Sequence, residues 1–202
     1  MVVIIDYGLG NLASVAKAFE KAGDKVVISS DNNLISKADH LVLPGQGAFS
    51  DGINNIRKLK LDKIIYQQVL KEKKPILGIC LGMQLMADKG YENGERQGLG
   101  LIEGETVKIN TSANIRLPHI GWDDVNIKKK SPLFSDIPDN SDFYFLHSYY
   151  LIPSNKSLIV ATCTYGQKFV VSAQKGNIFA TLFHPEKSHE FGIKLIKNFL
   201  EC

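Results

Sequence analysis

The sequence predicts an α/β fold in which a mostly parallel central sheet is flanked by helices and continued by an antiparallel extension. Short β-branched runs alternate with helical periodicities through the first half of the chain, a pattern typical of a parallel sheet covered on both faces. From about Gly98 onward, short predicted strands separated by turns replace that alternation. The 202 residues suit one compact domain, residues 1–202, with a sizeable core.

The first half contains four predicted strands, and the first and the last of them are short apolar runs that we expect to be buried on both faces. They lie at residues 2–5, 26–28, 41–43 and 76–79. A helix is predicted between Asn11, which suits its N-cap, and Gly23, which suits its exit, because apolar residues fall at helical spacing between them. A second helix is predicted around residues 61–70, before Pro75, and another begins directly after Cys80.

The second half contains five shorter predicted strands, at residues 107–109, 143–146, 158–162, 169–173 and 178–181. We expect them to form an antiparallel extension of the same sheet. Ser188 is a candidate N-cap for the last helix. The apolar stripe of that helix is more typical of core packing than of a cofactor site, and it is formed by Phe191, Leu195, Ile196, Phe199 and Leu200.

Charge and hydropathy exclude several classes of protein. The net charge is +3, and basic residues are dense only at residues 71–74 and 128–130, which suit solvated surface or the rim of a partner interface better than nucleic-acid binding. No apolar run approaches the roughly 18–20 residues of a membrane span, and the start has no signal-peptide pattern. Three widely separated cysteines do not suit a disulfide framework, so we expect a cytoplasmic protein with reduced thiols.

The segment Gly78-Ile79-Cys80-Leu81-Gly82 carries the strongest chemical signal in the sequence. A strand that turns sharply into a helix holds the residue at the turn in a strained conformation with its side chain projecting, and flanking glycines relieve the crowding. The N-terminus of the helix favours the thiolate, which is the nucleophilic form of cysteine. Cys80 is therefore the candidate nucleophile, and the alternative is a buried structural cysteine behind a tight turn.

A cysteine nucleophile needs a base, and the base needs a group that fixes its tautomer. Among the five histidines only His184 begins a His-x-Glu pattern, and it follows a predicted strand, where parallel-sheet proteins place functional groups. His184 and Glu186 are therefore the candidate base and its orienting carboxylate. No histidine or cysteine spacing resembles a metal site. Structural roles are expected for the other histidines, which are His40, His119, His147 and His189.

The loop Pro44-Gly45-Gln46-Gly47 follows the third predicted strand. The backbone N–H groups of Gly45, Gln46 and Gly47 are candidates for an oxyanion hole. The N–H of Leu81, directly after the nucleophile, is the candidate second donor. An ordinary strand-to-helix turn is the alternative, because Gly-x-Gly is a weak signal by itself.

Six segments spread along the chain resemble the class I, or triad, glutamine amidotransferases, which implies a flavodoxin-like core. The elbow, extended to Gln84, and His184-Pro185-Glu186-Lys187 are typical of the superfamily. Two segments are more specific to one group of its glutaminase subunits, Asp6-Tyr7-Gly8-Leu9-Gly10-Asn11 and Pro118-His119-Ile120-Gly121-Trp122. The remaining two are Pro44-Gly45-Gln46-Gly47-Ala48-Phe49 and His147-Ser148-Tyr149-Tyr150.

The resemblance implies a chemistry for the triad. The Cys80 thiolate attacks the side-chain amide of glutamine, His184 protonates the departing ammonia and then activates water, and Glu186 orients His184. No cofactor and no metal are implied. The positions that match glutamine-binding residues of the family are Gly47, Gln84, Glu92, His147, Ser148 and Tyr149.

The resemblance also implies a partner subunit. The glutaminase subunits in question pass ammonia to a (β/α)8 cyclase, and the heterodimer makes imidazole glycerol phosphate and the aminoimidazole carboxamide ribotide in histidine biosynthesis. Asn11, Trp122 and Lys187 match interface positions. Without the resemblance, Trp122 is equally well explained as a core aromatic and Lys187 as a solvated charge.

Three parts of the sequence depart from the family pattern, and other functions therefore stay open. Gln46 stands where a small aliphatic residue is common, Asp123 stands where asparagine is expected, and residues 91–93 are less acidic than usual. A sugar-amidating partner in surface-polysaccharide synthesis is therefore an alternative to the cyclase. A catalytically silent regulatory module is disfavoured by the intact triad, and a cysteine peptidase is disfavoured by the glutamine-specific positions.

Overall fold

The computed structural model describes residues 1–110 and 115–202. Its α-helices are α1 (Leu12–Ala22), α2 (Asn32–Lys37), α3 (Phe49–Lys58), α4 (Leu61–Tyr66), α5 (Leu81–Leu85) and α6 (His189–Leu200). Its strands are β1 (Val2–Ile5), β2 (Val26–Ser29), β3 (His40–Leu43), β4 (Ile76–Ile79), β5 (Ala87–Gly90), β6 (Arg96–Gln97), β7 (Ile102–Lys108), β8 (His119–Ile127), β9 (Ser141–His147), β10 (Tyr149–Pro153), β11 (Ile159–Tyr165), β12 (Gln167–Lys175) and β13 (Ile178–Thr181). Helix α4 continues into a π-helical turn, Gln67–Lys71, and short 3₁₀ turns occupy Pro132–Phe134, Lys156–Leu158 and Pro185–Lys187.

The main sheet of the described residues has nine strands in the order β2-β1-β3-β4-β13-β12-β11-β8-β9. Neighbouring strands from β2 to β13 are parallel, and those from β13 to β9 are antiparallel. The predicted parallel sheet with an antiparallel extension is therefore confirmed. Because β4 and β13 are neighbours, with Ile79 opposite Thr181, the chain leaves both strands at the same edge of the sheet.

The parallel strands lie in the core, and every residue of β1, β4 and β13 is buried. Helix α1 covers this sheet and begins and ends where predicted. The Asn11 side chain accepts a hydrogen bond from the N–H of Ser14 at 3.2 Å, and Gly23 ends the helix with φ 108°. The apolar stripe of α6 packs beside it, and the rings of Phe19 and Phe199 meet edge to face at 6.2 Å.

The prediction that residues 107–109 extend the main sheet is wrong. Val107 lies in β7, which belongs to a second sheet in the order β10-β7-β5-β6, and Ile109 lies beyond the end of that strand. The residues of β7 alternate between buried and more exposed positions, so the strand has a single apolar face to bury. Within the second sheet it pairs antiparallel with β10 and parallel with β5.

Ser188 directly precedes α6, as predicted, but it does not cap that helix with its side chain. Its hydroxyl donates to the carbonyl oxygen of His184 at 2.6 Å and accepts from the N–H of Tyr144 at 3.0 Å. The predicted boundary is therefore confirmed and the predicted role is wrong. Ser188 instead ties the loop after β13 to β9.

Candidate active site

The chain turns at Cys80, between β4 and α5. Cys80 has φ 52° and ψ −109°, a conformation that is uncommon for any residue other than glycine. The turn is held on both sides, because the N–H of Cys80 donates to the carbonyl oxygen of Thr181 at 2.8 Å and its carbonyl oxygen accepts from the N–H of Gln84 at 3.2 Å. The strained turn that the sequence predicts is present.

The two glycines around Cys80 are required by close packing. A Cβ at Gly82 would lie 1.7 Å from the carbonyl oxygen of Leu43, so the start of α5 presses directly on the end of β3. A Cβ at Gly78 would lie 2.8 Å from the sulfur of Met86, which belongs to a flexible side chain. Gly82 is the stricter requirement of the two, since its added carbon would meet backbone at 1.7 Å, whereas the nearest backbone atom to a Cβ at Gly78 is the carbonyl carbon of Gly82 at 3.0 Å.

His184 and Glu186 lie just after β13, the strand beside β4. His184 Nδ1 and Glu186 Oε1 are 2.7 Å apart, and both side chains are 2% exposed. The other ring nitrogen, Nε2, is buried and has no hydrogen-bond partner within the described part of the chain. The ring is therefore oriented through Nδ1 and leaves Nε2 available for a reacting group.

The charge on His184 is set by its neighbours. Burial lowers the pKa of His184, but the electrostatic interaction with Cys80 and the hydrogen bond and charge of Glu186 outweigh burial and raise it to about 10. At neutral pH the ring is therefore a cation that interacts with the sulfur on one side and the carboxylate on the other. The structure brings together the three residues that the sequence nominated as a triad.

A cavity of about 220 Å³ opens at Cys80. All six residues predicted to bind substrate line it, as do Gln46 and Leu81 from the predicted oxyanion hole. Gly45 is not among the lining residues, because it packs behind the wall, where a Cβ would lie 2.0 Å from the Tyr7 hydroxyl. Sequence reasoning gave no pocket role to Pro118 or Leu146, which complete the lining: Gln46, Gly47, Cys80, Leu81, Gln84, Glu92, Pro118, Leu146, His147, Ser148 and Tyr149.

Two polar residues of this cavity also hold its walls together. The Gln84 side-chain N–H donates to the carbonyl oxygen of Tyr149 at 3.1 Å. Glu92 Oε2 accepts from the N–H of Phe49 at 2.7 Å, at the first residue of α3. That contact supplies the helix with a cap from outside, since its own N-cap residue, Ala48, makes no side-chain hydrogen bond.

The predicted oxyanion loop rests on the loop that follows β1. The buried Tyr7 hydroxyl donates to the carbonyl oxygen of Pro44 at 2.6 Å. A Cβ at Gly10 would lie 3.1 Å from the Cα of Gly45, so the two backbones are in close contact. Gly47 has φ 122°, a region that glycine adopts without strain.

The three predicted interface residues lie on neighbouring elements. Trp122 is 44% exposed, and its ring stacks on His189 with centroids 4.7 Å apart. Lys187 Nζ lies 5.5 Å from the centroid of the Tyr144 ring, which also meets Trp122 edge to face. Asn11 is exposed at the start of α1, a helix that contacts the 3₁₀ turn containing Lys187. Tyr144 and His189 were not predicted at this surface.

Neither a membrane helix nor a metal cluster is found over residues 1–110 and 115–202. No helix there is long and apolar enough to cross a membrane. No group of three or more His, Cys, Asp or Glu side chains is arranged to hold a metal ion.

The fold agrees with comparisons to known proteins. The family model described as glutamine amidotransferase class-I matches residues 3–202. A solved structure titled crystal structure of glutamine amidotransferase has a TM-score of 0.78 with 17% identity, covering 100% of this chain and 98% of that one, and this likeness shows the fold. The chain belongs to the class I glutamine amidotransferases.

The chain is also similar over its full length to particular members of this family. The chain is 50% identical to imidazole glycerol phosphate synthase subunit HisH 1 of Campylobacter jejuni (strain RM1221), over 99% of each protein. It is 44% identical to imidazole glycerol phosphate synthase subunit HisH 2 of Methanococcus maripaludis, over 100% of this chain and 99% of that one. Each of these relatives is named as a subunit, which implies a second subunit for them.

Proposed function

We infer that this chain is the glutaminase subunit of an imidazole glycerol phosphate synthase and that it hydrolyses glutamine to glutamate and ammonia for histidine biosynthesis. The observation that carries this proposal is the grouping of Cys80, His184 and Glu186 at one edge of the sheet, beside a cavity lined by every predicted glutamine-binding residue. The full-length similarity to HisH subunits supports the pathway. A cytoplasmic location is part of the proposal.

The first half of the reaction forms a thioester. The Cys80 thiolate attacks the side-chain amide carbon of glutamine, and the oxyanion that develops accepts hydrogen bonds from the N–H of Leu81 and from the loop at Gln46 and Gly47. The His184 cation gives its Nε2 proton to the departing nitrogen, so the C–N bond breaks and ammonia leaves. Glu186 holds the ring through Nδ1 during this transfer.

The second half of the reaction frees the enzyme. His184, now neutral, takes a proton from water, and the resulting hydroxide attacks the γ-glutamyl thioester. The C–S bond breaks, glutamate leaves and the thiolate re-forms beside the imidazolium. The sum is glutamine and water converted to glutamate and ammonia.

The partner in this proposal is a (β/α)8 cyclase. It would dock on the face that carries Asn11, Trp122 and Lys187, receive ammonia shielded from water, and use it to make imidazole glycerol phosphate and the aminoimidazole carboxamide ribotide. An exposed tryptophan supported by aromatic stacking is typical of an interface anchor. The partner would also activate the glutaminase, by turning a backbone N–H of the loop around Gln46 toward the oxyanion.

Reconstitution tests this proposal. The purified chain is mixed with the cyclase of the same organism and the phosphoribulosyl-formimino substrate, and glutamate and imidazole glycerol phosphate are measured together. We expect the two products in equal amounts, and little glutamate from the chain alone. The Trp122→Ala variant should bind the cyclase at least about tenfold more weakly. If a sugar-amidating enzyme is activated and the cyclase is not, the pathway assignment is wrong.

A further inference from the structure

A chain of hydrogen-bonding groups runs from the surface to the candidate glutamine pocket through two buried histidines. Asp123 Oδ2 lies 2.8 Å from His119 Nε2. His119 Nδ1 lies 3.1 Å from His147 Nε2, and His147 Nδ1 lies 3.1 Å from the carbonyl oxygen of Tyr149. The His119 and His147 residues are 1% and 4% exposed, whereas the Asp123 side chain is 34% exposed. We call these four groups the histidine relay.

Counting protons shows that two neutral rings cannot satisfy the relay. An ionised carboxylate and a carbonyl oxygen only accept hydrogen bonds, so each of the three contacts needs a proton from a ring nitrogen. Two neutral imidazoles supply two N–H groups. All three hydrogen bonds therefore form only when the relay holds one additional proton.

The additional proton belongs on His119. Burial and the nearby charges of His119 and His184 lower the pKa of His147 to about 3, which makes it a neutral ring with its proton on Nδ1. His119 has the carboxylate of Asp123 beside it, and its ring is stacked between Tyr165 and Phe145, at centroid distances of 4.0 and 4.9 Å. Aromatic faces attract a cation, so this position suits an imidazolium better than that of His147.

The relay responds to pH through the charge of His119. Burial lowers the pKa of His119, and the hydrogen bond and charge of Asp123 oppose that lowering. Cys163 on β11 stays a thiol, because burial and the charge of Asp123 raise its pKa to about 12. The Tyr165 hydroxyl, also on β11, donates to the carbonyl oxygen of Arg116 and turns away from the relay. As pH rises, the relay therefore loses its additional proton and one of its three hydrogen bonds.

The far end of the relay is a wall of the cavity. His147 and Tyr149 both line it, and the Tyr149 carbonyl that accepts from His147 also accepts from the Gln84 side chain. We propose that Asp123 and His119 are positioning residues, which fix the tautomer of His147 and thereby hold the Tyr149 segment in place to bind glutamine. This inference rests on the proposed glutaminase function.

One substitution separates this role from simple packing. In Asp123→Asn the new amide donates an N–H to His119 Nε2, so two neutral rings and one amide supply the three protons that the relay needs. The relay then stays complete at every pH. In Asp123→Leu, a side chain of similar size, the contact with His119 is lost at every pH.

The test measures glutamine binding to the full chain in a Cys80→Ala background, so that substrate is not consumed. Calorimetric titrations are made from about pH 5 to about pH 8, across the range in which histidine changes charge. The Kd of the parent and of Asp123→Asn should agree at the acidic end, and the parent should bind up to about tenfold more weakly at the alkaline end, as expected for one lost hydrogen bond. Asp123→Leu should bind weakly throughout. Titration of His184 affects all three proteins alike and cancels in the ratio.

A second measurement does not depend on glutamine. Nitrogen-15 NMR of the histidine rings should show His147 protonated on Nδ1, and His119 protonated on both nitrogens at acidic pH in the parent but on Nδ1 alone in Asp123→Asn. Identical His119 protonation in the two proteins, or a parent-to-Asn Kd ratio that does not change with pH, would overturn the relay. Absence of glutamine binding in every variant, with the NMR pattern as expected, would instead count against the proposed function.

Discussion

Two regions of the molecule each bury a histidine near Cys80, and one ring is charged while the other is neutral. His184 follows the parallel strand β13 and His147 ends the antiparallel strand β9, and the two residues are 2% and 4% exposed. Yet the pKa of His184 is raised to about 10, whereas that of His147 is lowered to about 3. His184 interacts with Cys80 and Glu186, and His147 interacts with a carbonyl and another histidine. Burial strengthens the effect of nearby groups on a pKa, and the charges of those groups decide whether the pKa rises or falls.

The largest expected effect comes from removing the sulfur. Cys80→Ala should reduce glutamine hydrolysis in the assembled complex by about 10⁴-fold or more, because no other group at the turn can form the thioester. The same change should lower the pKa of His184, measured by NMR, and leave His147 uncharged. Cys202→Ala, which alters an exposed thiol, is the matched control and should keep full activity. An unmoved His184 would show that the sulfur does not set its charge.

The next effect concerns the parallel region alone. Gly82→Ala places a Cβ 1.7 Å from the Leu43 carbonyl oxygen, so backbone must move, and we expect a loss of about 3 kcal/mol or more in the free energy of unfolding. Gly176→Ala is the control, because its φ is 56° but nothing lies within 4 Å of the added carbon. It should cost about 1 kcal/mol. Equal costs in urea unfolding would contradict the close packing of α5 on β3.

Glu186→Gln should destabilise the protonated form of His184 and leave its ring in place. We expect turnover to fall by about 100-fold or more, because the amide no longer balances the positive ring. The His184 pKa is raised in the wild type, so the proton needed by the leaving ammonia is lost only as pH rises through about 10. In the variant this alkaline loss of activity should begin at lower pH. A pH–rate profile that keeps the wild-type alkaline limb would argue against the Glu186 contribution.

The smallest effect concerns the cavity wall. Glu92→Ala removes the acceptor for the N–H of Phe49, and the start of α3 loses its only side-chain cap among the described residues. Thermal or urea unfolding should show a loss of about 1 kcal/mol. Glu95→Ala, at an exposed position nearby, should change the free energy of unfolding by less than about 0.5 kcal/mol. A Glu92 variant as stable as wild type would mean that this contact adds nothing to the fold.

The parallel region could be predicted because short, local sequence patterns mark its strands and turns. Continuous apolar runs mark strands buried on both faces, and β1 and β4 lie at the residues that these runs indicate. Cys80 between two glycines marks a strand-to-helix turn. The pairing of β4 with β13, which brings His184 to Cys80, is a property of the fold that the resemblance implied and the sheet order shows.

The antiparallel region was less predictable because its polar residues are buried by tertiary packing. His119 has no local sequence signal for burial. Its segment also contains Trp122 and Asp123 and mixes polar with aromatic residues. Its environment comes from Phe145 and Tyr165, on two other strands. The structural role expected for His147 on sequence grounds and the binding role implied by the resemblance are compatible, because the side chain is buried and also lines the cavity.

The positive φ of Cys80 has a consequence for how this protein changes under selection. A non-glycine residue held in that region costs on the order of 1 kcal/mol or more, and only the surrounding packing maintains it. Glycine at position 80 would relax the turn, so the inactive protein should be more stable than the active one. A laboratory lineage selected for heat resistance alone would drift toward losing its nucleophile, and retention of the cysteine has to be enforced by the demand for ammonia.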